Sequence, residues 1–239
     1  MPDKRRHRGP HPADAGLFAA PHVAALRDAT ADLSWLLSRG YTPAASLKLV
    51  GDRFQLTQRQ RLAVMRSGCS DESLRKRKAI ELSPPDVAGR PIAVDGFNLL
   101  TTIEAALAGG VIIVGRDGCC RDMASMHGSY RKVDETRPAL ELIGVSLAAL
   151  HAGPCRWLFD KPVSNSGRVG KLTEQLAAGH GWDWRFELAN DPDRLLRETH
   201  DIVVSADSQV LDACGRWLNL AAEIIRSAIP EAWIVVLRG

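Results

Sequence analysis

The sequence predicts an α/β fold with a mainly parallel sheet, preceded by a small all-α domain. Beyond residues 83–86 (SPPD), the clearest break in the chain, short apolar runs alternate with segments of helical periodicity. Strands separated by helices are joined by crossovers, which give parallel pairing. Before the break, apolar residues recur only at helical spacing. We therefore predict a weakly ordered basic tail (1–18), a helical domain (19–84) and an α/β domain (85–239).

The composition excludes several classes of protein. With 45% hydrophobic and 25% charged residues, the chain is typical of globular proteins, and a net charge of +3 argues against a uniformly basic nucleic-acid-binding surface. The basic runs 4–8 and 75–78 are interpreted as solvated tails or helix faces, with phosphate contacts as the alternative. The five cysteines form no CxxC pair, so neither a disulfide framework nor a zinc site is predicted.

Neither a signal peptide nor a membrane span is expected. The first residues are basic and polar with no apolar segment after them, and no apolar run is long enough to cross a bilayer. We therefore expect a cytoplasmic protein without membrane association. We leave open whether it forms a homodimer.

The helical domain contains three helices with recognisable ends. The first runs from about Val23 to Arg39-Gly40, the second begins after Thr42 and the third begins after Thr57. Glutamine and arginine residues concentrate on the third helix: Gln58, Arg59, Gln60, Arg61 and Arg66. Such residues are found on the recognition helix of a helix-turn-helix. The interpretation that we favour is a helical bundle that packs on a neighbouring domain or partner.

Six strands and four helices are predicted beyond the break. The strands cover residues 91–95, 111–115, 155–160, 182–188, 202–206 and 233–237. The helices cover residues 99–108, 136–150, 168–178 and 208–226, the last either continuous or broken.

Acidic residues follow these strands at their carboxyl ends. The first strand ends in Asp95, the third in Asp160 and the fifth in Asp207, while Asp117 and Asp122 follow the second. The carboxyl ends of parallel strands lie on one edge of a sheet, where ligand sites form. Clustered carboxylates repel one another unless a cation compensates them, and Mg²⁺ and Mn²⁺ prefer oxygen ligands. We therefore predict a metal site. The alternative is that each acid caps the turn or helix that follows it.

The segment 117–135, after the second strand, concentrates groups suited to nucleic acid. Arg121 and Arg131 can pair with phosphate, Tyr130 can stack on a base and His127 can transfer a proton. The equal alternative is a loop whose arginines pair with neighbouring aspartates.

Two further features stay open. Ser164 and Ser166 precede a helix and are candidates to bind a phosphate, with an ordinary helix-capping loop as the alternative. Glu104 lies at the edge of an apolar helix face and is either directed to the metal or an ordinary surface acid.

Two motifs carry a family resemblance. VDGFNLL, around Asp95, and IVVSADSQVLD, around Asp207, resemble motifs of PIN-like and NYN nuclease domains. The resemblance begins near residue 88. It implies a three-layer α/β/α sandwich that hydrolyses RNA phosphodiester bonds with Mg²⁺ or Mn²⁺. By position, Asp95 and Asp207 match metal ligands and Asn98 matches a supporting residue.

Other positions extend this resemblance or depart from it. Asp160 and Asp193 match possible further acids, whereas Gln209 stands where many relatives have a second acid. Segment 117–135 is an unusual insert. The chain as a whole also resembles a group of two-part bacterial and archaeal proteins.

The leading expectation is a Mg²⁺- or Mn²⁺-dependent nuclease acting on RNA. Asp95, Asp160 and Asp207 would hold the metal, with Asp117 or Asp122 assisting. One alternative is a non-catalytic PIN-like adaptor that binds nucleic acid or protein, which Gln209 favours. A weaker alternative is a hydrolase of small phosphoesters. The absence of an acid two residues after Asp95 argues against an aspartyl-phosphate mechanism for it.

Overall fold

A four-stranded parallel sheet forms the centre of the protein, in a computed structural model that describes residues 7–124, 128 and 130–238. The helices within these residues are α1 (Asp14–Leu17), α2 (Ala20–Ser38), α3 (Pro43–Arg53), α4 (Gln58–Ser67), α5 (Asp71–Ile80), α6 (Gly96–Leu107), α7 (Thr136–Ala149), α8 (Ser166–His180), α9 (Pro192–Glu198), α10 (Ser208–Leu211) and α11 (Leu220–Ala228). The strands are β1 (Ile92–Asp95), β2 (Ile112–Val114), β3 (Cys120–Asp122), β4 (Cys155–Asp160), β5 (Trp184–Ala189), β6 (Ile202–Val204) and β7 (Ile234–Val236).

The main sheet has the strand order β5-β4-β1-β6, and every neighbouring pair is parallel. The chain proceeds from β1 to β4 and then β5, and it returns to place β6 on the other side of β1. The order of strands therefore reverses between β1 and β6. Open parallel sheets bind ligands beside the carboxyl ends of the two strands at such a point.

Apolar side chains cover both faces of this sheet. Ile92 and Val94 of β1 pack into a core that also contains residues of α6, α7, α8 and α11. Ala93, between them, faces the opposite side, in a core with Leu196 of α9 and Val210 of α10. This alternation explains why β1 is apolar at every position before Asp95. The prediction of an α/β fold with a mainly parallel sheet is confirmed.

The predicted strands 111–115 and 233–237 do not join the main sheet. They form a second sheet of order β3-β2-β7, in which β2 pairs parallel with β7 and antiparallel with β3. Ile112 packs in the core of the main sheet, whereas Ile113 and Val235 pack against the N-terminal helices. Because both faces of β2 are buried, its apolar pattern identified a strand without indicating its sheet.

The N-terminal helices α2 and α4 share a core with the second sheet, through Leu26, Leu33 and Val64. Their end signals are as predicted. Gly40 follows α2 with a φ of +80°, and Thr57 begins α4 with a capping box. Helix α5, capped by Ser70, and helix α9 were not predicted, and the predicted helix 208–226 is broken into α10 and α11.

Residues of the predicted tail that the structure describes, from 7 to 18, pack against the rest of the protein. Asp14 is completely buried and accepts two hydrogen bonds from the guanidinium of Arg59, and Phe18 is buried in the helical core. Arg61 likewise pairs with Asp52, and Arg66 donates to carbonyl groups at the end of β3 and just after it. These arginines of α4 are bound within the molecule. The packing interpretation therefore fits better than a recognition helix.

Two further predictions concern cysteines and membranes. The five cysteines are buried free thiols. Across the described ranges, no helix has both the length and the apolar character needed to cross a membrane.

Candidate active site

A cleft of about 840 Å³ lies between the carboxyl edge of the main sheet and the helices α2, α4 and α5. Six aspartates line it, of which Asp212 pairs with Arg77 and Asp122 belongs to β3 of the second sheet. We call the other four the acid cluster: Asp95, Asp160, Asp193 and Asp207. Asp95 is the last residue of β1 and Asp207 follows β6, and these two strands flank the reversal of strand order. The sequence predicted that Asp95, Asp160 and Asp207 would share one edge, and they line one cleft.

Asp95 is fixed by the turn that links β1 to α6. Its Oδ1 accepts a hydrogen bond from the backbone N–H of Asn98 at 3.4 Å, and its Oδ2 accepts one from the hydroxyl of Ser205 at 2.7 Å. A Cβ at Gly96 would lie 2.4 Å from the ring of Phe159, so only glycine fits after Asp95. The helix-capping alternative is thus realised at Asp95, although a second oxygen bonds across to the end of β6.

Burial raises the pKa of Asp95 to about 7. The hydrogen bond from Ser205 opposes this rise, and the negative charges of Asp193 and Asp207 add to it. The side chain is only 8% exposed. A carboxyl group with this pKa exchanges its proton near neutral pH, as catalytic groups commonly do.

Hydrogen bonds tie the ends of β1 and β6 together. The side-chain oxygen of Asn98 accepts from the backbone N–H of Ala206 at 2.8 Å. The hydroxyl oxygen of Ser205 accepts from the N–H of Asp207 at 3.0 Å. Asn98 therefore lies beside Asp207 in space, as a supporting residue would. Ser205 was not singled out from the sequence, although it lies inside the quoted IVVSADSQVLD motif.

Asp207 also caps a helix, since its Oδ1 accepts from the N–H groups of Gln209 and Val210 at 2.7 and 3.1 Å. Its Oδ2 has no hydrogen-bond partner among the described residues. One oxygen therefore serves α10 while the other is available to a ligand. Gln209 is exposed and also lines the cleft.

Asp160 and Asp193 are half-buried, and burial raises the pKa of each. For Asp193, repulsion from Asp207 and Asp160 adds to the effect of burial. The turn after β4 is closed through the carbonyl of Asp160, which accepts from Val163 and Ser166. The hydrogen bonds that close this turn therefore do not use the carboxylate of Asp160.

The acid cluster does not converge on one point. Among the described residues, no three His, Cys, Asp or Glu side chains are close enough to hold one metal ion together. The predicted ligands Asp95, Asp160 and Asp207 therefore share a cleft without forming a three-ligand site.

Asp117 was predicted as a catalytic acid and is instead part of a buried ion pair. Its Oδ2 accepts from Arg77 at 2.5 Å, and both its oxygens accept from Arg121, at 2.9 and 2.7 Å. Although burial opposes the effect, Arg121 and Arg77 hold the pKa of Asp117 at about 2. The two arginines neutralise this carboxylate, so it is unsuited to bind a metal.

Arg121 was predicted to bind phosphate, but its guanidinium faces Asp117 and its Nε donates to the carbonyl of Ala206 at 2.8 Å. Arg77 donates to Asp212 at 2.7 Å and to the carbonyl of Ser208 at 3.3 Å. Two buried arginines from distant segments thus hold the chain that carries Asp207. Arg77 was missed because it stands in a basic run interpreted as solvated.

Asp122 lies on the cleft wall as a residue of β3 rather than in a loop. The hydroxyls of Thr101 and Thr102 donate to its Oδ2 at 3.1 and 3.2 Å, and the N–H of Ala124 donates to its Oδ1. These three donors fix the carboxylate of Asp122 within the wall. Its predicted catalytic role gains no support from this geometry.

Glu104 is neither directed to a metal nor on the surface. It is completely buried and accepts from Arg8 at 2.5 Å, from Thr136 at 2.6 Å and from the hydroxyl of Tyr130. Tyr130, also buried, stacks on Phe97 and is therefore not free to stack on a base.

Three of the remaining predicted ligands, Ser164, Ser166 and Arg131, are not among the residues that line the cleft. The hydroxyl of Ser166 is buried and donates to backbone carbonyls, and Ser164 is exposed. Arg131 is exposed, and its backbone carbonyl accepts from Arg8. His127 falls outside the described residues.

Comparisons with known proteins identify a family but describe no activity for it. A model named protein of unknown function (DUF434) matches residues 25–79, and one named domain of unknown function (DUF5616) matches residues 84–223. An uncharacterized protein of Methanocaldococcus jannaschii is 27% identical over 188 residues, covering 78% of this chain and 88% of that protein. No solved structure matches. Since the second model spans more than half of its residues, the chain belongs to the DUF5616 family.

Proposed function

We propose that the protein is a metal-dependent nuclease of the PIN-like kind that hydrolyses RNA. The observation that carries the proposal is the position of Asp95 and Asp207 at the reversal of strand order, with Asp160 and Asp193 in the same cleft. Ligand sites of open parallel sheets form there. The comparisons describe no activity, so the proposal rests on the site and on the motifs around it.

The donor chemistry suits Mg²⁺ or Mn²⁺, which prefer carboxylate oxygens. Magnesium usually keeps several water ligands and is held by one or two carboxylates together with substrate phosphates. Asp95 and Asp207 would supply these, so a three-carboxylate cage is unnecessary. When bound, such a cation supplies positive charge for a phosphate group and makes water more acidic.

The protein's own groups would orient the phosphate and move protons. The side-chain oxygen of Asn98 is bound to the N–H of Ala206, which fixes the orientation of the amide group. Its side-chain nitrogen has no partner within the described residues, so its N–H groups are available to a phosphate. Asp193, with its raised pKa and partial exposure, is a candidate to accept a proton from water. Ser205 would hold Asp95 in place.

Cleavage of labelled single-stranded RNA with Mn²⁺ or Mg²⁺ tests the proposal. We expect activity in the wild type and a loss of roughly a hundredfold or more in Asp95→Asn and Asp207→Asn, comparable to removing an electrostatic catalytic group. Asp28→Asn, which changes an exposed aspartate of α2 outside the cleft, is the matched control. Equal activity in wild type and Asp95→Asn would refute the assignment.

A non-catalytic adaptor is the second candidate, and two observations favour it. Gln209 stands at the cleft in place of an acid, and the described carboxylates do not converge on a three-ligand site. Calorimetry with Mn²⁺ separates the candidates. Absence of Mn²⁺ uptake at millimolar concentration, together with RNA binding that is unchanged by EDTA, would support the adaptor.

A further inference from the structure

The N-terminal helices and the residues next to them line part of the cleft, which we call the helical wall. Leu33 and Leu37 of α2, Tyr41 after it, and Met65 and Arg66 of α4 all line the same cleft as the acid cluster. The cleft is therefore formed jointly by the two segments that match separate family models. Neither segment alone makes it.

This helical wall exposes two large side chains suited to the face of an aromatic ring. Tyr41 is 58% exposed and Met65 is 47% exposed. Tyrosine stacks on nucleobases, and the methionine sulfur makes favourable contacts with aromatic rings. Exposed apolar residues that line a cleft beside polar groups are typical of ligand-binding surfaces.

The two walls differ in charge, and this difference orients a ligand. The sheet side carries the acid cluster, whereas the helical side presents Tyr41, Met65 and Leu37 together with the positive charge of Arg66. A nucleotide has one charged and one flat apolar part. If a cation holds the phosphate of the nucleotide at the acid cluster, the base of the same nucleotide can contact the helical wall.

Base stacking on a side chain also selects the state of the nucleic acid. In a duplex, the faces of each base are covered by its neighbours, so a protein side chain cannot stack on them. An unpaired base offers its face freely, and such stacking tolerates any base. The occupant suited to this wall is therefore an unpaired nucleotide.

We propose that Tyr41 and Met65 form a binding wall for one unpaired base of RNA, adjacent to the phosphate held at the acid cluster. This inference rests on the proposed function for the position of the phosphate. It assigns the N-terminal helices to substrate binding through the cleft rather than through a recognition helix.

Fluorescence anisotropy of a labelled single-stranded oligoribonucleotide tests the wall, using the full chain in EDTA and again in Ca²⁺. We expect Tyr41→Ala to weaken binding roughly five- to hundredfold, as expected when stacking on one base is lost, and Tyr41→Phe to retain it. Met65→Ala should weaken binding less. Trp35→Ala is the matched control, because Trp35 is an exposed aromatic residue of α2 that does not line the cleft.

Three outcomes would overturn the inference. They are wild-type affinity in both Tyr41→Ala and Met65→Ala, equal affinity for a fully base-paired, blunt-ended duplex of the same length, and no binding by the wild type in either buffer. A second measurement is independent of mutation. RNA containing 4-thiouridine should crosslink on irradiation to the peptide that carries Tyr41 or Met65, and crosslinks confined to other surfaces would contradict the wall.

Cleavage assays in Mn²⁺ distinguish a failure of the base-binding wall from a failure of the proposed nuclease function. If Asp95→Asn abolishes cleavage while Tyr41→Ala leaves both KM and binding unchanged, the nuclease stands and the wall fails. If binding depends on Tyr41 but no cleavage occurs, the wall stands and the nuclease fails.

Discussion

The buried carboxylate of Asp117 makes a stability contribution that can be worked out from its surroundings. Its side chain is 1% exposed and lies between Arg77 and Arg121, whose side chains are 2% and 9% exposed. Its pKa is about 2, against an ordinary value of 3.8. At about 1.4 kcal/mol per pKa unit, this difference corresponds to roughly 2–3 kcal/mol of folding free energy.

Asp117→Asn should cost more than this at neutral pH. The amide cannot neutralise two guanidiniums that are then buried side by side, and removing one partner from a buried ion pair typically costs about 3–5 kcal/mol. Arg77 keeps a second partner in Asp212, which moderates the loss. We therefore expect a decrease near the lower end of that range.

The stability that Asp117 contributes depends on pH, and its depressed pKa determines the direction of the change. Because the folded-state pKa is depressed, the contribution of Asp117 is complete above about pH 4 and is lost as the pH falls toward about 2. The difference in stability between wild type and Asp117→Asn should therefore shrink by roughly 2–3 kcal/mol across that window.

Urea unfolding followed by tryptophan fluorescence at a series of pH values measures this difference, since the chain has six tryptophans. Asp28→Asn, on the exposed face of α2, is the control. A variant within about 1 kcal/mol of wild type at pH 7, or a difference that stays constant down to pH 2, would contradict the ion-pair account.

Three further predictions concern the cleft and the turn before it. Burial raises the pKa of Asp95 from 3.8 to about 7, so folding is penalised as the pH rises through that interval. Asp95→Asn should therefore increase stability at pH 8 by as much as about 4 kcal/mol, and by little at pH 4, in urea unfolding. Mn²⁺ should raise the melting temperature of the wild type but not of Asp95→Asn, by differential scanning fluorimetry. Gly96→Ala should cost about 1–3 kcal/mol because its Cβ would overlap Phe159. Gly179→Ala, with open space around its Cβ, should be neutral or stabilising, and an equal loss in both variants would refute the packing argument.

The main sheet and its acidic edge could be predicted because their signals are local. Each of β1, β4 and β6 is a short apolar run that ends in or just before an aspartate, and parallel pairing then brings those ends together. The same local signals explain the correct ends of α2 and α4. Helix α9 also has a local signal, since Asp191 caps it and Pro192 is its first residue.

What could not be predicted depends on contacts between distant segments. Asp117 follows a strand as Asp207 does, and only its neighbours Arg77 and Arg121 distinguish it from the acid cluster. Arg77 lies 40 residues away along the chain. Likewise, no local pattern indicates that β2 and β7 leave the main sheet, since both faces of β2 are buried in either arrangement.

Acidic side chains elsewhere in the protein differ from the acid cluster in their partners, and this difference supports a functional role for the cluster. Asp14, Glu104 and Asp117 are each buried, and each is paired with an arginine: Arg59, Arg8, and Arg77 with Arg121.

The four carboxylates of the acid cluster form no ion pair within the described part of the chain, and burial raises the pKa of Asp95, Asp160 and Asp193. An arginine would remove this cost, as it does at Asp117, and an asparagine would remove the charge. Asp95 and Asp207 cap helices, but a neutral asparagine caps a helix equally well, so the negative charges themselves destabilise the fold without a structural benefit. Such a cost is expected where a cation or substrate supplies the missing positive charge.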